Sequence, residues 1–254
     1  MTKLKGFSAL GVIAIIAIFI FIGITGFLII DSNRKAINYD SYDLTSIIAP
    51  DEHNGNIGDN VKGNREAPVI IVEYADFQCP GCASINTKVN AAVEESDGKL
   101  AVVYRNFILS YHQNGTAAAS AAEAAGRQGY WKAFGDLLFA NQAEWEYASA
   151  SERSALFDKY FMEATSNKGD LEKFHSDIAS KEVSQKISFD MAIAKHIDVS
   201  GTPAFYIDGQ LIDWGNKKGA SITVNGKTFT WESSLSGEDF KNLLLNIVDA
   251  KLSN

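Results

Sequence analysis

Cysteine is almost absent from this chain: 254 residues hold only Cys79 and Cys82, with Pro80-Gly81 between them. That scarcity excludes a disulfide framework, because neither sulfur has a third thiol to choose. Histidine is scarce too. His53, His112, His175 and His196 stand singly, so a zinc half-site at the two thiols, the competing reading, has nothing to complete its four ligands. No internal repeat of solenoid length is present. Positive charge is in deficit, with a net charge of −8. The first 35 residues carry four cations and one anion, which leaves residues 36–254 at −11. Such a surface argues against nucleic acid as a partner. Finally, the marks of a processed leader are missing. Phe27-Leu28-Ile29-Ile30 offers no small-x-small cleavage site, and no cysteine follows it to carry a lipid.

What is present begins with the cysteine pair. It lies between a strand-like run, Val69-Ile70-Ile71-Val72, and a helical stripe of Ile85, Val89, Ala92 and Val93 that stops at Asp97-Gly98. Pro80 suits the first helical position, which puts Cys79 at the N-cap. There the unpaired backbone N–H groups and the helix dipole favour thiolate over thiol. Cys82 is one turn further in, within reach of a disulfide. The pair reads as a redox site.

Gly6–Ile30 is an uncharged run of 25 residues. As a helix it would span about 37 Å, enough for a hydrocarbon core of about 30 Å. Residues 1–30 are therefore expected to be an uncleaved signal anchor. Lysine and arginine tie at two on each side of the run, and only the terminal amine tips the N-terminus inward. Disulfide exchange with clients belongs outside the cytosol, which places the remainder of the chain on the extracytoplasmic side of a cell membrane.

Residues 31–64 are polar, rich in Asp and Asn, and read as a tether with a short strand near Asn60-Val61. The folded domain is expected over 65–254. Leu100–Phe107 is a second strand. A helical block follows at about 114–196, with seven alanines between Thr116 and Gly126 and aromatic stripes after them. Hairpins are predicted around Asp208-Gly209 and Asn225-Gly226, the latter making an extra unit at about 220–232. A helix opened by Ser236 carries the stripe Phe240, Leu243, Leu244, Ile247 and Val248. Strand–helix–strand, a helical block, then hairpin and helix is an α/β thioredoxin fold with a helical insertion.

Glu73-Tyr74-Ala75-Asp76-Phe77-Gln78-Cys79-Pro80-Gly81-Cys82 resembles the active-site segment of the DsbA family of thiol–disulfide oxidoreductases. Phe107–His112 resembles the strand end before that family's insert, and Ala122–Gly129 with Trp131 and Phe134 resembles the insert itself. Val199–Phe205 resembles the loop whose proline is cis. The likeness covers about residues 59–254, leaving out the second hairpin. It implies that Cys79 is an exposed nucleophile and leaving group and that Cys82 resolves the mixed disulfide. Glu73 matches the family's buried carboxylate, which passes protons to and from the second cysteine; a solvent-facing strand residue is the alternative. Thr202-Pro203 would lie beside the cysteines and offer a backbone edge to the client. Asp76 reads as a turn residue, and His112 as a loop histidine without a role.

Neither cofactor nor metal is implied. The implied partners are cysteine-containing exported proteins and a DsbB-like membrane redox protein that recycles the pair. Two departures matter. Pro-Gly replaces the Pro-His of the strongest oxidases, and Thr202 replaces their valine, as in disulfide isomerases. Those isomerases dimerise through an N-terminal domain for which residues 31–64 are too short and polar, so a monomer is expected. An oxidase of exported proteins is the first reading, and a reductase or isomerase the second. A tethered binding or chaperone module with a structural disulfide is the third. It is disfavoured because an i, i+3 bridge closes a tiny loop and adds little stability.

Overall fold

The computed structural model describes residues 37–213, 219–231 and 235–253. Strands β1 (Asn60–Gly63), β2 (Val69–Ala75), β3 (Leu100–Asn106), β4 (Ala204–Ile207) and β5 (Gln210–Ile212) form one sheet in the order β1-β3-β2-β4-β5. β2 and β3 are parallel, with Glu73 opposite Tyr104. Parallel neighbours need a crossover, and α1 (Pro80–Glu95) supplies it. β4 and β1 pair antiparallel to β2 and β3 respectively. Strands covered on both faces read as continuous apolar runs, which is why Val69-Ile70-Ile71-Val72 shows no alternation.

Between β3 and β4 come six helices: α2 (Gly115–Gly126), α3 (Trp131–Ala140), α4 (Gln142–Trp145), α5 (Ala150–Ala164), α6 (Leu171–Ile178) and α7 (Lys181–His196). A separate hairpin, β6 (Ala220–Val224) and β7 (Lys227–Trp231), precedes α8 (Gly237–Leu252). Asp208-Gly209 and Asn225-Gly226 have positive φ at both positions, as two-residue hairpin turns of primed type require. One core packs Ile71, Val102 and Phe205 against Ile85 and Val89 of α1 and Phe240 and Leu244 of α8. A second core gathers Trp131, Phe134, Phe157, Phe161 and Phe174 around the alanines of α2. Phe77 joins sheet to insert, stacking on Tyr104 of β3 at 5.0 Å and meeting Phe139 of α3 at 4.9 Å between ring centroids. Each such buried aromatic contributes about 1.5–3 kcal/mol.

The polar stretch expected as a tether is, from Tyr39 onward, part of the folded body. Tyr39 stacks on His196 of α7 at 4.1 Å. Arg105 of β3, fully buried, donates to Leu44 O, Ser46 O and Asp59 Oδ2, each at 2.8 Å. Lys186 of α7 donates to Asp59 Oδ1 at 2.9 Å and Asp190 Oδ1 at 2.6 Å. The segment looks like a linker because its partners are buried charges rather than apolar side chains. Residues 31–36 and the apolar run 6–30 lie outside the described residues. No helix among the described residues is long and apolar enough to cross a membrane.

Candidate active site

The turn before the cysteines is built by Asp76. Its carbonyl accepts from the Cys79 N–H at 3.0 Å, and its carboxylate accepts from the Gln78 and Leu109 N–H groups, each at 2.9 Å. Cys79 is the N-cap of α1, in extended conformation (φ −77°, ψ 121°), with Pro80 opening the helix. Its carbonyl accepts from the Ala83 N–H at 3.1 Å. Both cysteines are free thiols. Cys79 is only 6% exposed, so the expected exposed nucleophile is in fact a nearly covered one; Cys82 is fully buried.

Their acidities diverge. The Cys79 pKa is lowered to about 6, chiefly by a hydrogen bond from the Cys82 thiol. Burial opposes this, and the Thr202 hydroxyl and the Cys82 and Gly81 N–H groups add to it. Burial pushes the Cys82 thiol well above the ordinary value, and the neighbouring Cys79 and Glu73 charges push the same way. Two sulfurs with opposite shifts divide the labour of exchange: one attacks and leaves easily, and the other stays protonated until needed.

The Thr202–Pro203 bond is cis. Thr202 lies against the nucleophile, its carbonyl accepting from Cys79 Sγ at 3.4 Å. Its hydroxyl is buried and otherwise without a hydrogen-bond partner. Gly81 completes the rim. A Cβ there would sit 3.2 Å from Pro203 Cδ and 3.6 Å from Cys79 Sγ, so glycine keeps the approach to the sulfur open.

Glu73 is fully buried on β2, as the family likeness implies, but it is not alone. Lys62 reaches across β3 to its Oε2 at 2.9 Å and also donates to Asn86 Oδ1 at 3.0 Å. Asn86 and Asn90 both donate to Asp136 Oδ1 at 2.9 Å, and Lys132 to its Oδ2 at 2.9 Å. Glu73 Oε1 and the Tyr104 hydroxyl are buried without a hydrogen-bond partner. Burial, and then the charges of Cys82 and Glu73, push the Tyr104 phenol well above its usual range. Glu73 therefore has one oxygen fixed by a cation and one buried without a partner, and its charge acts on the Cys82 thiol.

Sequence reasoning missed Lys62, since nothing in Val61-Lys62-Gly63 marks a buried lysine. His112, read as a loop histidine without a role, has its Nδ1 2.7 Å from Asp76 Oδ2. Gln78 and Asn114 went unnoticed as well. No group of acidic, histidine or cysteine side chains suited to a metal ion occurs among the described residues.

A low-pKa thiol at a helix N-cap, a buried second thiol and a cis-proline loop on this sheet define a protein thiol–disulfide oxidoreductase. The chain belongs to the thioredoxin family, whose model matches residues 55–237; within it the protein is DsbA-like. It is 28% identical over 215 residues to the probable disulfide bond formation protein D of Bacillus cereus, covering 82% of this chain and 91% of that one. It is also 35% identical over 153 residues, 60% of this chain, to the Na(+)/H(+) antiporter NhaA 3 of Salinispora tropica, but it spans only 22% of that protein's length. BdbD of Bacillus subtilis in its oxidised form shares the fold at a TM-score of 0.58 and 17% identity, over 83% of this chain and 99% of that one. So does α-DsbA1 of Wolbachia pipientis, at 0.55 and 20%, over 77% and 93%.

Two results are expected of the sulfur itself. Thiolate absorbance of a Cys82→Ser variant should titrate near pH 6, because a hydroxyl can still donate where the thiol did. Exchange should therefore slow as pH falls through 6 and the nucleophile is protonated. A midpoint at or above ~8.5, the free-cysteine value, would remove Cys79 from that role. Thr202→Val should lower the redox potential. Losing a donor to the thiolate disfavours the charged form by about 1 kcal/mol. The reduced state is destabilised, and at ~30 mV per 1.4 kcal/mol the potential moves negative by on the order of 20 mV. Equilibration against glutathione resolves this, and an unchanged value would mean that the hydroxyl does not act on the sulfur.

Proposed function

We propose that this protein introduces disulfides into exported polypeptides, working as a monomer on the extracytoplasmic face of a membrane in which residues 6–30 anchor it. The observation that carries the reading is the opposite displacement of the two thiols, with Cys79 at about 6 and Cys82 pushed upward. A stabilised Cys79 thiolate favours the reduced pair, which makes the disulfide form an oxidant.

In the forward reaction a client thiolate attacks Cys79 Sγ, the Cys79–Cys82 bond breaks, and Cys82 leaves with the electron pair and takes up a proton. A second client thiolate attacks the client sulfur and expels the Cys79 thiolate. The client loses two electrons and the protein gains them, so a membrane redox partner must withdraw them for the next cycle. The name of the Bacillus cereus relative supports this direction. The reductase or isomerase reading draws on Gly81, which places no cation between the cysteines.

Intact cells treated with a membrane-impermeant alkylating reagent decide both points. An extracytoplasmic domain is alkylated only after an external reductant is added if Cys79–Cys82 is held oxidised. Alkylation without reductant would identify a reductase or isomerase. Alkylation only after lysis would overturn the placement.

A further inference from the structure

Tyr147 is 79% exposed, more than any other large apolar side chain among the described residues. Yet the backbone around it is held as firmly as a core element. The Asn114 amide donates to the carbonyls of Trp145 (3.0 Å), Glu146 (3.2 Å) and Ala148 (3.0 Å), and its oxygen accepts from Arg153. Gln78, adjacent to Cys79, donates to Glu146 O at 2.8 Å and accepts from the Asn114 N–H at 2.7 Å. A Ser149–Glu152 capping box fixes the other side as α5 begins. The turn is thus tied directly to the residue before the nucleophile. It holds an aromatic ring in water, where exposure of apolar surface brings no folding benefit. An exposed aromatic on a fixed backbone is an anchor whose main-chain ordering entropy is already spent before a partner arrives.

Beside it opens a cleft of about 510 Å³ lined by Ala148, Ala155 and Leu156, with Glu144 and Glu152 among its walls. An apolar floor and carboxylate walls suit a side chain with an aliphatic stem and a cationic head, and a tyrosine face can add a cation–π contact. From the Gln78–Glu146 bond the turn lies within roughly four residues of extended chain from Cys79, at about 3.3 Å per residue.

We propose that Tyr147 and the adjoining cleft form a subsite for a lysine or arginine of the client, about four residues from the cysteine bound to Cys79. This rests on the reading of Cys79 as the nucleophile. The subsite selects among clients by the charge flanking their cysteine, and the exchange chemistry is unaltered.

The test uses single-cysteine peptides with Lys or Glu four residues before or after the cysteine, reacted with the oxidised protein at low ionic strength. Glutathione serves as a thiol too small to span the distance. The Lys peptide of one orientation should react about tenfold faster than its Glu counterpart, an advantage that Tyr147→Ala and the pair Glu144→Gln/Glu152→Gln each reduce severalfold. The distant pair Glu95→Gln/Glu238→Gln controls for overall charge and should leave the ratio as it was. A Lys-to-Glu ratio near one in the wild type, or one that the distant pair lowers as much as the cleft variants do, overturns the subsite while normal glutathione exchange leaves the redox reading standing. Absence of glutathione exchange would overturn that reading instead.

Discussion

A Cys82→Ser variant accumulates mixed disulfides with cysteine-containing proteins on Cys79, whereas Cys79→Ser accumulates almost none. The asymmetry follows from thiolate populations. With a pKa of about 6, Cys79 is roughly 90% ionised at pH 7. Cys82, pushed well above its ordinary value by burial, stays the protonated partner. Access acts in the same direction: Cys79 keeps 6% of its surface and a glycine-lined approach, while Cys82 has none. In Cys82→Ser the adduct forms but no second thiol can displace the client, so it persists. Non-reducing gels after acid quench, with the adducts identified by mass, give the ratio of the two variants. At least tenfold is expected, and equal trapping by both would mean that the exchange is nonspecific.

Lys62→Met destabilises the fold by about 3–5 kcal/mol, the usual penalty when one partner of a buried pair is removed and the other charge is stranded. Among the described residues Glu73 has no second cation: Lys62 is its single hydrogen-bond partner there, and its other oxygen already lacks one. Both side chains are cut off from water, at 2% and 0% exposure, so solvent cannot take over. Lys62→Met/Glu73→Leu should recover most of the loss, because a buried pair replaced together by apolar groups is often neutral. Urea unfolding of the two singles and the double closes the cycle. A loss below about 1 kcal/mol in the single, or a double variant no more stable than the single, would mean that the pair is not the buried couple described. The double variant keeps the test alive if Lys62→Met does not fold.

The likeness to the solved folds and the sheet order agree with the thioredoxin architecture that the chain order of elements suggested. Local signals carried that far. Two Gly turns with positive φ fixed two hairpins, and an apolar run too long to alternate marked the central strand. The site was less legible. Asp76 looked like a turn former and is one, but its carboxylate also anchors His112 from 36 residues away. The stretch before β1 looked like a linker, because its anchoring groups are Arg105 and Lys186, distant in the chain and invisible to any local window.

By itself the sequence determined the cysteine pair, its N-cap position and the proline that opens the helix, since helix-start chemistry is local. It also determined which segments are strands and which helices, through periodicities of a few residues. Tertiary structure alone decided how far each sulfur's acidity moves. Burial, and donors drawn from residues 82 and 202, set the sign and size of each shift. It alone gave Glu73 its cation, because Lys62 belongs to a strand two places away in the sheet. Charges pair according to where the fold brings them, and only burial turns such proximity into an interaction large enough to matter.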